Sequence, residues 1–150
     1  MKDIYKQRLL KIADTIEANA QAFNLQNWSW PTWLDTSVHP CGSPSCVAGW
    51  ANALANKNRR KANRVSLNDA NAAAFYLGIV NPDKSTWALS DAEYAEERLF
   101  TAYEDSVWVK YAAKYGWTLS PYGGLKAWDQ ITGRQAAKVL RDLAYRKVRL

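Results

Sequence analysis

Ile131-Thr132-Gly133-Arg134-Gln135-Ala136-Ala137-Lys138-Val139-Leu140-Arg141-Asp142-Leu143-Ala144-Tyr145 is the stretch that decides the fold class. Thr132 and Gln135 stand three residues apart, the spacing at which a Thr hydroxyl and a Gln side chain satisfy each other's free backbone N–H groups at a helix start. Ala136, Val139, Leu140 and Leu143 recur at three- and four-residue steps, which predicts a buried helical stripe. Arg134, Lys138, Arg141, Tyr145 and Arg149 follow the same spacing as a separate, cationic ridge. A strand would bury alternate residues, and that alternation is missing here and almost everywhere else in the chain.

The same signals recur upstream. Residues 3–23 predict an amphipathic helix, with Tyr5, Leu9, Ile12, Ile16, Ala20 and Phe23 on one face. A second helix is expected to start near Ser43, a good cap, with Pro44 at the first helical position, and to run through Ala55. Gly49 inside it marks a close approach by another group. A third helix is expected over about 66–77, capped by Ser66 with Asp69 at its third position, and closed by Gly78. Asn81-Pro82-Asp83 reads as a turn. Ser90 and Glu93 form a second capping box, and a short helix from Asp105-Ser106 through Tyr115 ends at Gly116. The expectation is an all-α, compact single domain over 1–150, with five or six helices and room for a small hairpin near 117–127.

Length and composition agree with that picture. The 150 residues are 48% apolar and 23% charged, the balance of one globular domain. No stretch approaches the run of about 18 apolar residues that a membrane span needs. The charged N-terminal segment has no apolar core of a signal peptide, so a cytoplasmic location is expected, in the host cytoplasm if the chain is phage-encoded. Two cysteines are too few for a disulfide scaffold, and one histidine excludes multi-His metal chemistry. The net charge of +6 is unevenly spread. Residues 1–56 are neutral, 57–64 carry +5, 66–105 carry −6 and 106–150 carry +7. Segregated charge suggests an anionic partner or complementary packing between segments.

The distinctive motif is His39-Pro40-Cys41-Gly42-Ser43-Pro44-Ser45-Cys46-Val47-Ala48-Gly49-Trp50-Ala51. With Leu77-Gly78-Ile79, Leu99-Phe100 and the Ile131–Ala137 helix start, it resembles a signature of short bacterial and phage proteins of uncharacterised biochemistry. That likeness touches most of residues 40–140 and departs at Ser43-Pro44 and at the basic stretch 57–64. It implies a shared fold and a phage or mobile-element setting, and no reaction. Four roles stand open for Cys41 and Cys46: buried apolar packing, a disulfide, zinc binding with His39, or a thiolate activated at a helix start.

Trp28, Trp30 and Trp33 lie within six residues, and Trp50 follows on the next helix. These rings either cover a small core or stack on a base. The helix start at Ser43 and Ser45 offers free N–H groups to an anion, and Arg59 and Arg60 offer charge-assisted contacts. These eight residues are the expected ligand site of a non-enzymatic binding protein with no catalytic residue, metal or cofactor. Its partner would be an anionic, nucleotide-like molecule or a host protein, and sequestering an immune signal would be a phage counter-defence. Two other functions compete. One is nucleic-acid binding through 57–64 and 134–149, which the acidic middle segment opposes. The other is a cysteine-dependent enzyme using Cys46 or Cys41 with His39.

Overall fold

The computed structural model describes residues 2–23, 46–57, 60, 63–65, 69–83, 85, 88–100, 106–118, 130–147 and 149–150. Among them are six α-helices and no strand: α1 (Asp3–Ala18), α2 (Val47–Asn56), α3 (Ala70–Leu77), α4 (Asp91–Ala95), α5 (Val109–Tyr115) and α6 (Gly133–Ala144). The fold is all-α, as the periodicity predicts. Of the stretch considered for a hairpin, residues 119–127 lie outside the described residues.

The centre of the fold is the pairing of α1 with α6, the most extensive helix contact. α1 buries Leu9, Ile12, Ala13 and Ile16 at helical spacing. α6 contributes Ala136, Val139, Leu140 and Leu143, with Gly133, Ala137 and Ala144 added to the expected stripe. Those small residues let the helices approach closely. A Cβ on Gly133 would lie 2.6 Å from the Ala20 Cα, in the short 3₁₀ turn Ala20–Ala22 after α1. At the edge of the pair, the Arg141 guanidinium bridges Asp14 at 2.8 Å and Glu17 at 2.5 Å.

The other elements close around this pair. α3 contacts α2, α4 and α1. After α4 the chain widens into a π-helical turn, Glu96–Phe100, that delivers Leu99 and Phe100 to the core. Trp108 is fully buried, and its indole N–H donates to the Leu99 carbonyl at 2.7 Å. Tyr111, Tyr115 and Trp117 form a row of rings, and the Trp117 indole donates to the Gln135 side chain at 3.3 Å. Buried Asn81 organises the expected turn by donating to the Leu89 carbonyl while its own side-chain oxygen accepts the Asp83 N–H.

Both capping boxes form. The Thr132 hydroxyl accepts the Gln135 N–H, and the Gln135 side chain accepts the Thr132 N–H. Ser90 and Glu93 exchange the same pair of bonds. Gly78 and Gly116 end α3 and α5 in the left-handed conformation. Three helix starts differ from expectation, one of them α5, which begins at Val109 instead of at Asp105-Ser106. α2 begins at Val47, and its cap is Cys46, whose sulfur accepts the Gly49 N–H at 3.4 Å. Asp69 caps α3 itself, accepting the Ala72 N–H at 2.9 Å, instead of sitting at the third position.

Candidate functional site

A groove of about 450 Å³ lies where α1, α2 and α3 meet. α1 supplies Ile4, Gln7, Arg8 and Lys11, which share a face at three- and four-residue spacing beside the buried stripe. α3 supplies Ala72, Phe75 and Tyr76, again three and four apart, while its Ala73, Ala74 and Leu77 face the core. Leu54 and Ala55 of α2 close the third side.

Phe75 is the conspicuous residue. It is 78% exposed, the most exposed of the large apolar side chains among the described residues. A ring left in water at the lip of a groove offers a face on which a flat ligand can stack. Beside it, Arg8 is held in place from two directions. Its Nη1 donates to the Tyr76 carbonyl at 2.6 Å, and its guanidinium lies 4.5 Å from the Tyr76 ring centroid and 5.6 Å from that of Tyr5. Stacking fixes the plane of a guanidinium, so less freedom is lost when its other N–H groups bind an anion. Lys11 adds a second cation one turn along, and no carboxylate lines the groove among the described residues. Burial pushes the Tyr76 phenol up and outweighs the opposing pull of Arg8, so its hydroxyl stays protonated and can donate.

Only part of the expected ligand site is described. Trp28, Trp30, Trp33, Ser43, Ser45 and Arg59 lie outside the described residues, as do Cys41 and His39. Trp50 sits in the first turn of α2 and is 8% exposed, with no acceptor for its indole N–H among the described residues. Arg60 is exposed, and its carbonyl accepts the Asn63 N–H at 2.8 Å. The N-terminus of α2, expected to receive an anion, uses the Cys46 sulfur for one of its free donors.

Cys46 is buried, and loss of solvent pushes its thiol up to about 11 despite nearby backbone N–H groups. At neutral pH it is a thiol and a weak nucleophile. The cationic ridge of α6 is largely spent on internal partners. Arg141 holds Asp14 and Glu17, Lys138 pairs with buried Asp142, and the Tyr145 ring lies under Lys6. Asp142 also accepts the Tyr111 hydroxyl. A second groove of about 400 Å³ has an apolar floor of Leu9, Leu77, Ile79 and Leu143, with Arg146 and Arg149 at its edge.

The described residues contain no cluster of His, Cys, Asp and Glu able to hold a metal, and no helix long and apolar enough to cross a membrane. No family model, no curated protein and no solved structure matches the chain.

Sequence reasoning passes over Arg8, Lys11, Phe75 and Tyr76. One signal for them was present. Ala73, Ala74 and Leu77 already complete the buried face of α3, which leaves Phe75 without a place in the core.

Proposed function

We propose that this chain is a non-enzymatic binding protein that holds an anionic, base-containing ligand of nucleotide size in the groove between α1, α2 and α3. The observation that carries it is the exposed Phe75 ring beside the pre-positioned Arg8 and Lys11. A base stacks on the ring, and a phosphate meets the two cations. The groove volume of about 450 Å³ falls within the range of small-ligand sites, roughly 300–1,000 Å³.

The likeness of the cysteine-containing motif to short phage and bacterial proteins supplies a setting. In that setting the role we read is sequestration in a host cytoplasm, and a nucleotide immune signal is a ligand of the required chemistry. Internal pairing of Arg141 and Lys138 leaves the α6 ridge less charge for a nucleic-acid backbone.

The test is calorimetry with adenosine monophosphate on the wild type and on Phe75→Ser. Stacking on an aromatic side chain is worth about 1–3 kcal/mol, so the variant should bind about 5- to 150-fold more weakly. Its thermal melt should stay unchanged, because Phe75 is outside the core. Equal binding by the two proteins, or no binding by the wild type, contradicts the proposal.

A further inference from the structure

We infer that the second groove, between the ends of α3 and α6, is a separate site for an amphiphilic anion, a single aliphatic chain that ends in a carboxylate. No residue that lines it also lines the groove between α1, α2 and α3. Two helix ends frame it with the same backbone device. At the end of α3 the Gly78 N–H donates to the Phe75 carbonyl at 3.2 Å and the Ile79 N–H to the Ala74 carbonyl at 3.0 Å. At the end of α6 the Arg146 N–H donates to the Leu143 carbonyl at 3.0 Å and the Lys147 N–H to the Asp142 carbonyl at 2.8 Å. Each pair closes a Schellman turn, which puts one residue in the left-handed conformation and usually gives that place to glycine. Gly78 obeys the rule at φ +65. Arg146 breaks it at φ +56, the one residue other than glycine with a positive φ among the described residues. Holding a side chain there costs the fold stability, and such cost is often met where a ligand is held. Arg146 lines the groove, so the turn sets a guanidinium at its edge where the backbone alone would favour glycine.

Arg149 is the second cation on the same edge. It is exposed, and it has no ion pair among the described residues. Its backbone is fixed, because its carbonyl accepts the Lys110 Nζ at 2.6 Å and the next residue, Leu150, packs against the core. Lys147, between the two arginines, stands 4.0 Å from the Asp142 carboxyl instead. No acidic side chain lines the groove among the described residues. Its floor of Leu9, Leu77, Ile79 and Leu143 is aliphatic, and Val80 stands beside it 56% exposed. Against that floor the polar edge of a nucleobase would lose its hydrogen bonds to water and gain none, whereas a hydrocarbon chain loses nothing. Two cations at one edge match an anionic head. The volume of about 400 Å³ is that of a small-ligand site.

Calorimetry on the full chain with sodium hexanoate, octanoate and decanoate, each below its micelle concentration, tests this, with decyltrimethylammonium as the cationic control. The wild type should bind one decanoate per chain, and affinity should rise about two- to fourfold with each added methylene. The cationic amphiphile should bind about tenfold or more weakly. Arg149→Ala should weaken decanoate about three- to tenfold and leave the thermal melt unchanged, because Arg149 is exposed. Arg146→Gly should weaken it by a similar factor and melt no lower than the wild type, because glycine suits the left-handed turn. Both variants should bind adenosine monophosphate as the wild type does. No saturable decanoate binding, a flat chain-length series, equal binding of the cationic amphiphile, or full affinity in both arginine variants overturns the inference.

Discussion

Replacing Gly78 by alanine should destabilise the fold by about 2–5 kcal/mol, from two separable causes. Gly78 ends α3 at φ +65, where a side chain costs about 1–2 kcal/mol. A Cβ there would also lie 2.4 Å from two carbons of the Tyr5 ring. Tyr5 is half-buried, so its ring can tilt, and overpacking of this kind typically adds about 1–3 kcal/mol. Gly116 is the internal control. It has nearly the same backbone angle, φ +68, with nothing within 4 Å of its would-be Cβ. Gly116→Ala should show the backbone part alone. Urea melts followed by circular dichroism read both variants, and a cycle with Tyr5→Ala isolates the ring term. In the Tyr5→Ala background, Gly78→Ala should cost no more than Gly116→Ala. If the two glycine variants are equally stable in the wild-type background, the Tyr5 contact is refuted. If Gly116→Ala is neutral, so is the backbone term. Because the Tyr5 ring also faces the Arg8 guanidinium, Gly78→Ala should weaken nucleotide binding along with stability.

Three further outcomes follow from the same packing. Gly133→Ala should destabilise by about 1–3 kcal/mol in thermal or urea melts although alanine is the better helix former, because its Cβ meets the Ala20 backbone. A neutral or stabilising result would mean that α1 and α6 are less tightly apposed. Burial pushes the Asp142 carboxyl up, but hydrogen bonds from Lys138 and Tyr111 outweigh it and hold its pKa below the ordinary carboxylate range. Its contribution is therefore present above about pH 4 and lost as pH falls through the lowered folded value. Asp142→Asn should flatten the acid limb of the stability profile, and an unchanged limb would remove Asp142 from that role. In a Cys41→Ser background, a thiol reagent at pH 8 should label Cys46 only as fast as the protein unfolds. Rapid labelling of native protein would contradict a thiol held near 11.

Helix ends were legible where two side chains answer each other or where glycine takes a left-handed turn. Thr132 with Gln135, Ser90 with Glu93, and Gly78 and Gly116 are all of this kind. Helix starts are less legible where several capping residues stand in a row. Ser66 and Asp69 both suit a cap, and propensity does not choose between them. Cys46 lies outside the usual capping residues, so propensity favours Ser43, while the chain itself uses the sulfur. The groove was out of reach for a different reason. Periodicity shows which face of α1 is apolar, but not that its Arg8–Lys11 face lies beside Phe75 of α3 and Leu54 of α2. That depends on how three helices approach one another, which no single helix encodes. The clamp by which the Asn56 side chain holds Val65 beside the end of α2 has no signal in the sequence either.

The most direct test of the central claim is a two-dimensional amide NMR titration of the full chain with adenosine triphosphate. The account predicts saturable shifts at Arg8, Lys11, Ala72, Phe75 and Tyr76. Shifts confined to the Trp50 turn of α2, or to Arg146 and Arg149 at the second groove, would contradict it, and so would a spectrum that does not change.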